Sequence, residues 1–434
     1  MIGKLTMKRT AICLAVSALS ISPLALAGSS VQETPVSVSA ITAAQLENAS
    51  VDDLKKIILA LSQRMDSMET QTTEIRGIAT AKSSTASWAE RIKWHGDFRY
   101  RYESIDNDKT DNDRNRNRIR ARIGVTAQVT DDVKAGIALV SGKDDPVSGN
   151  QTLGGGGTSK GINLDMAYID WAFAENLNLV AGKTKNPFYK VGKNSMIWDG
   201  DYRPEGAHIT YDNGAIWATA AYHFLESDNK GGGSKGQDAE EMYGAQVGFR
   251  GKLSDNVKFK VGASYFHIPV EGSKPIFDFD EGMGETNHFG NSVAGDAYLY
   301  DYETMELFAE LNTKIAGIKT TLFADYVKNG ESDADEDTGF SAGFKLGKAK
   351  NKGDWQFGYT YQDLEADAVF AAFADSDFGG GGTDVKGHKF NTAYAFSKNT
   401  SLNITYFDNE YGDHTRTEEL DFDRLQVDIK TKFK

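Results

Sequence analysis

From Ile92 to Glu103 the chain reads Ile-Lys-Trp-His-Gly-Asp-Phe-Arg-Tyr-Arg-Tyr-Glu, and its polarity alternates at every step. Ile92, Trp94, Phe98, Tyr100 and Tyr102 form an apolar set broken only by Gly96, while Lys93, His95, Asp97, Arg99, Arg101 and Glu103 form an ionisable one. A period of two predicts a β-strand with one greasy and one charged face. Twelve residues exceed the usual soluble strand of about 5–6 and suit a tilted bilayer-crossing strand of about 9–11.

The same alternation recurs to the C-terminus. It predicts sixteen strands, near 92–103, 118–129, 133–141, 163–173, 177–183, 205–211, 215–224, 242–252, 257–267, 303–313, 318–328, 338–347, 354–362, 386–396, 401–407 and 422–433. The weak segments 177–183 and 205–211 leave room for 14 or 18. Connections after even strands are short, such as Thr130-Asp131-Asp132 and Asp212-Asn213-Gly214, whereas those after odd strands, such as 142–162 and 268–302, are long and polar. Short periplasmic turns alternating with long external loops is the rule of outer-membrane barrels; soluble sandwiches and propellers have no reason to obey it. The fold class expected is therefore an all-β transmembrane barrel of about 16 antiparallel strands over residues 91–434.

Upstream the period changes. Val51, Ile58, Met65 and Thr72 repeat every seven residues, and Leu54, Leu61, Met68 and Ile75 follow three residues later, with charged residues between. This predicts a short α-helical coiled coil over 44–76, placed in the periplasm and pointing to a homotrimer. The alternative is an amphipathic helix lying on the barrel or membrane. A polar leader (28–43) precedes it and a linker (77–90) follows. At the start, Lys4, Lys8 and Arg9, an apolar run from Ala11 to Ile21, and Ala25-Leu26-Ala27 read as an export signal over 1–27. The run is shorter than the 18 or so apolar residues of a membrane anchor.

Composition narrows the chemistry. The single cysteine, Cys13, lies in the signal, so disulfides and thiol sites are excluded from the processed chain. Loss of the three basic signal residues takes the net charge from −14 to −17, which argues against nucleic-acid partners. Forty-four glycines accompany 23 Phe, 18 Tyr and 6 Trp in a chain of negative mean hydropathy, as expected where only alternate residues meet lipid. Tyr100, Tyr102, Tyr222, Tyr265, Tyr359, Tyr361 and Tyr406 are placed to mark the interfaces with lipid and lipopolysaccharide.

With the apolar set facing lipid, the pore lining follows. Arg99 and Arg101 of the first strand and Arg118, Arg120 and Arg122 of the second make a ladder on one wall. Arginine keeps its charge and offers a fork of donors to oxyanions, so an anion-attracting wall is expected. The competing reading pairs the same arginines with Asp97, Glu103 and acidic loop residues as braces. Glu306 and Glu310 point inward from the tenth strand and oppose a uniformly basic lumen.

The third long loop, Lys183 to Glu205, holds Phe188, Val191, Met196, Ile197 and Trp198, which an exposed loop would not favour. It is expected to fold into the pore as a constriction carrying Lys185, Lys190, Lys193, Trp198, Asp199, Asp201 and Arg203, or else to pack on neighbouring loops or on a trimer neighbour.

Several segments carry a resemblance. Asn186-Pro187-Phe188 after Ala181-Gly182-Lys183, Ile197-Trp198-Asp199-Gly200-Asp201 leading to Pro204-Glu205-Gly206, and Trp94-His95-Gly96-Asp97-Phe98-Arg99 resemble the "putative porin" family of Gram-negative outer membranes. Ala167-Tyr168-Ile169-Asp170 and Ala374-Asp375-Ser376-Asp377-Phe378 fit the same pattern, over roughly 90–434. That family is distantly similar to the phosphate-selective porins. The resemblance implies a trimeric outer-membrane diffusion channel. It transfers no phosphate site.

Other chemistry finds little support. The acidic stretches Asp106 to Asp111 and Asp333 to Asp337 lack the Gly and Glu of an EF-hand and read as solvated loops, bridged at most to lipopolysaccharide by divalent ions. The glycine runs at 154–157, 231–233 and 379–382 lack the Gly-Lys-Ser/Thr of a phosphate loop, and none of seven histidines sits in a hydrolase motif. No cofactor, metal or enzymatic activity is expected. The expectation is passive diffusion of small hydrophilic solutes with anion preference; the alternative is a non-conducting surface or adhesion barrel.

Overall fold

The computed structural model describes residues 89–434 except 110–112, 144, 228–239, 276–287 and 332, together with helical positions 52, 59, 62–63, 65–70 and 72–73. The export signal, the leader and the linker up to residue 88 lie outside the described residues, as do the glycines 231–233 and part of the first acidic stretch. Met1–Ala81 and Lys82–Lys434 form separate units. In the first, a short helix is described, and its seam residues Met65 and Met68 are exposed at 71% and 59%. Pairing of that helix with others is not part of what is described.

In the second unit the alternation becomes a barrel. Its strands are β1 (Ile92–Asn107), β2 (Arg114–Gln128), β3 (Val133–Ser141), β4 (Ile162–Ala174), β5 (Leu177–Lys183) and β6 (Glu205–Asp212). They continue as β7 (Ile216–Glu226), β8 (Glu240–Ser254), β9 (Val257–Ile268), β10 (Tyr302–Ile315) and β11 (Ile318–Asn329). The set ends with β12 (Thr338–Gly347), β13 (Trp355–Leu364), β14 (Val385–Ala395), β15 (Thr400–Tyr411) and β16 (Leu420–Phe433). Each runs antiparallel to its neighbour in sequence, and β16 pairs back onto β1 from Gly96↔Phe433 to Asn107↔Phe422. The sheet is closed. Among the described residues the long strands number sixteen, including the two weak segments.

Strand bounds differ most beside the first long loop, which is shorter than 104–117 because β1 and β2 stay paired from Glu103↔Arg116 to Ile105↔Arg114. Charged and amide side chains continue that ladder where apolar periodicity stops. Tyr102 donates to Asn115 (2.7 Å) and Tyr100 to Asn117 (2.8 Å) across it.

The barrel is inside-out relative to a soluble protein. Trp94, Phe98, Ile123, Leu307 and Ile429 are exposed on its outer face, while Arg101 and Glu103 alternate with them and are buried. The glycine that broke the first apolar set has a reason at the seam. The Phe433 ring of β16 covers Gly96, and a Cβ there would collide with it and with the Arg122 carbonyl. An aromatic thus fills the space a side chain would occupy.

The apolar cluster lies within the bore. Phe188, Met196, Trp198 and Tyr202 from loop 184–204 pack with Val369, Phe370, Phe373 and Phe378 from loop 365–384, against Met242, Phe266, Tyr302 and Phe407 of the wall.

Candidate functional site: a loop-crossed bore

The register stacks like charges. Arg99 faces Arg120, and Arg101 faces Arg118, across β1 and β2. Like charges directly opposite are destabilising, so the wall needs carboxylates, and it has them. Arg101 makes a fork to Asp428 of β16 (2.7 and 3.1 Å) and reaches Asp377 at 3.2 Å. Arg120 contacts Asp97 at 3.0 Å and Asp201 at 3.0 Å, and Arg122 contacts Asp201 at 2.6 Å. Arg99 donates to Asn150, a neutral partner. Among the described residues no carboxylate lies within 4.0 Å of Arg99 or Arg118. Two further cations, which the sequence did not single out, belong to the wall: Arg116 pairs with Glu103, and Arg424 pairs with Asp377 at 2.8 Å.

Asp201 and Asp377 are loop residues, so the wall holds two loops. Loop 184–204 crosses the bore from β5. The Tyr189 N–H donates to Gln246 of β8 (2.7 Å), and its hydroxyl donates to Glu310 of β10 (2.6 Å). The Gly192 N–H reaches the same carboxylate at 3.1 Å, and Asn194 donates to Ser341 of β12 at 2.6 Å. Gly192 is required here. Its φ is +55°, and a Cβ would enter the Phe323 ring. The loop then returns to the arginine wall through Asp201.

Loop 365–384 is the partner that sequence reading missed. The Asp199 N–H donates to the Phe373 carbonyl (2.7 Å), and Ser376 donates from N (3.2 Å) and Oγ (3.3 Å) to the Asp199 carboxylate. Tyr202 and Phe373 stack with centroids 4.2 Å apart. The signal was present in sequence as the apolar stretch Ala366 to Ala374, interrupted only by Asp367.

Several of the residues expected in the pore are engaged by protein partners. Glu306 and Glu310 face inward but are covered: Glu310 is engaged by Tyr189, Gly192 and Lys260 (3.1 Å), and Glu306 accepts from Ser264. Trp198 is 3% exposed and stacks on Tyr202 within the apolar cluster. Arg203 pairs with Asp165 (3.3 Å), and Lys190 donates to the Trp198 carbonyl (3.0 Å). Lys185 and Lys193 are exposed, and among the described residues neither is paired with a carboxylate.

The loop carboxylates are unequal. Burial, then the negative charges of Asp201 and Asp375, push the Asp199 carboxyl up to about 8. Burial also opposes ionisation of Asp201, but Arg120, Arg122 and Arg99 overcome it and hold that group below the usual carboxylate range. Asp377 is likewise held low by Arg101, Arg424 and Arg99 against burial.

A closed sixteen-stranded barrel with an apolar exterior, an ionisable bore and an inserted loop defines a porin-type barrel of the outer membrane. Residues 105–275 and 290–433, well over half of the chain, match the family described as "Putative porin", and the chain belongs to that family. Among solved structures it is similar to Pseudomonas putida OprB, at 13% identity and a TM-score of 0.52, covering 81% of this chain and 97% of that one. Salmonella typhi OmpF (13% identity, TM-score 0.47) is covered over 97% of its length and 79% of this chain. A Rhodopseudomonas blastica porin variant (11%, TM-score 0.46) is covered completely, again over 79% of this chain. At such identities the likeness is one of fold. No curated protein sequence matches the chain.

Proposed function

We propose that this barrel passes small hydrophilic solutes by passive diffusion and prefers anions. One observation carries the reading: the loops cross a bore lined by ionisable side chains and leave cavities on both sides, of about 1110 Å³ towards the short turns and about 310 Å³ towards the long loops. Loop 184–204 sets the width, and the positive charges without carboxylate partners set the sign. A non-conducting surface or adhesion barrel is the second reading, favoured by the apolar cluster that fills part of the bore. Single-channel recording in planar bilayers separates them: discrete openings are expected, and a silent, correctly folded barrel would favour the second.

The N-terminal heptads are assigned to a periplasmic coiled coil joining three copies, supported by the repeat from Val51 to Ile75 and the exposed seam at Met65 and Met68. Removing residues 44–75 should lower the mass in detergent to that of a monomer. An unchanged mass would place the trimer contact on the barrel or deny it. The aromatic outer face is assigned to lipid and its long-loop rim to lipopolysaccharide.

A further inference from the structure

The loops divide the bore into two chambers with different charge balance. In the chamber towards the long loops, Arg122 contacts Asp201 (2.6 Å), Lys183 contacts Glu205 (2.7 Å) and Arg203 contacts Asp165 (3.3 Å). In the chamber towards the short turns stand Lys93, Lys185 and Lys432, and among the described residues none of the three is within 4.0 Å of a carboxylate. Of the two aspartates lining it, Asp97 is paired with Arg120 at 3.0 Å, while Asp170 accepts from the neutral Asn178 at 2.8 Å, so the lysines outnumber the one uncompensated carboxylate. Neutral polar atoms complete the lining. Asn186 Nδ2 and His208 Nδ1 are buried without a hydrogen-bond partner among the described residues, and Thr184 and Thr210 line the same cavity.

We propose that this inner chamber is a binding site for multivalent oxyanions, reached most directly from the short-turn, periplasmic side. The proposal rests on the channel reading for its transport meaning, though not for binding itself. Unpaired ammonium groups on low-dielectric walls focus a positive potential that salt screens over about 8 Å. Lysine binds phosphate and carboxylate oxygens as a point charge, without the planar match that arginine demands. An anion crossing from outside therefore passes a neutralised chamber before it meets the attractive one, and a polyanion in the periplasm reaches the attractive one first.

The test uses the full-length protein in planar bilayers, with orientation fixed by streptavidin block of a biotinylated Ser159→Cys loop. Inorganic pyrophosphate is added to one side at a time. Block from the short-turn side is expected at a concentration at least tenfold lower than from the long-loop side. Lys93→Gln with Lys185→Gln and Lys432→Gln should raise that concentration about tenfold and erase the sidedness. Lys143→Gln in the other chamber should change nothing. Lys185→Gln alone, in a loop, should shift block in the same direction by a smaller factor, which keeps the test valid if the triple variant misfolds. Equal block from both sides, or block indifferent to the lysines, overturns the proposal. If no channel conducts, calorimetric titration of the detergent-solubilised protein decides: pyrophosphate binding lost in the lysine variants sustains the site, and absence of binding removes it.

Discussion

Most of the arginine wall and the inner lysines carry the same sign in opposite settings, the former paired and the latter not, with Arg99 and Arg118 as the wall's exceptions among the described residues. Arg101, Arg120, Arg122 and Arg424 are each committed to a carboxylate, and Asp201 and Asp377 arrive from loops to provide two of them. Lys93, Lys185 and Lys432 face solvent in a cavity with no such partner among the described residues. A guanidinium's fork suits fixing a backbone in place, while a solvated ammonium leaves its field available to solute. Counting cations along a strand therefore overstates the field of the wall. What the wall gains instead is two loops held at fixed positions across the bore.

The largest effect expected from breaking this contrast is Asp201→Ala. It strips Arg120 and Arg122 of a shared, partly buried partner, and the cost should lie somewhat below the roughly 3–5 kcal/mol lost when a fully buried pair is broken. Urea unfolding should show the loss, and conductance should rise as loop 184–204 is released. Unchanged stability would mean that the arginines do not hold the loop.

Protonation tests the same junction more gently. Asp199 is pushed up to about 8, against about 3.9 for an unperturbed aspartate. Between those values the folded state binds the extra proton, so stability should fall as pH rises and the contribution should be gone above pH 8 or so. Asp199→Asn should flatten the profile. A profile indifferent to that substitution would remove Asp199 from the account.

Gly192→Ala forces a side chain into the Phe323 ring at positive φ, with a cost of about 1–3 kcal/mol. Loosening the far anchor of the loop should broaden the single-channel current levels while the arginine end stays tied. Tyr102→Phe removes one outer-face hydrogen bond to Asn115 and should cost only about 0.5–1.5 kcal/mol with no change in current. A current change there would show that the outer face is coupled to the bore.

The fold was legible because lipid imposes a period of two on every strand and a length on every crossing, down to the weak segments Leu177–Lys183 and Glu205–Asp212. Loop 184–204 was legible through Phe188, Val191 and Trp198, apolar residues with no place on an exposed loop. What it touches was not. The partners of Arg101 and Arg424 depend on closure of β16 onto β1 and on an aspartate brought from loop 365–384, contacts between positions far apart in the chain. Apolar alternation in the second strand begins only at 118, so nothing in the pattern marks Arg116 as inward, although charged pairing carries the strand back to Arg114. Inward direction on a strand can be read from a pattern. Whether the inward charge is free depends on tertiary partners that the pattern does not contain.

The most direct measurement of that distinction is the reversal potential under a salt gradient for three proteins: wild type, Arg122→Gln with Asp201→Asn, and Lys93→Gln with Lys185→Gln and Lys432→Gln. Wild type should be anion-preferring, with little change when the paired charges are removed together and a potential falling towards zero when the lysines are neutralised. A lysine variant that keeps its preference while the paired variant loses it would contradict the account and return selectivity to the arginine wall.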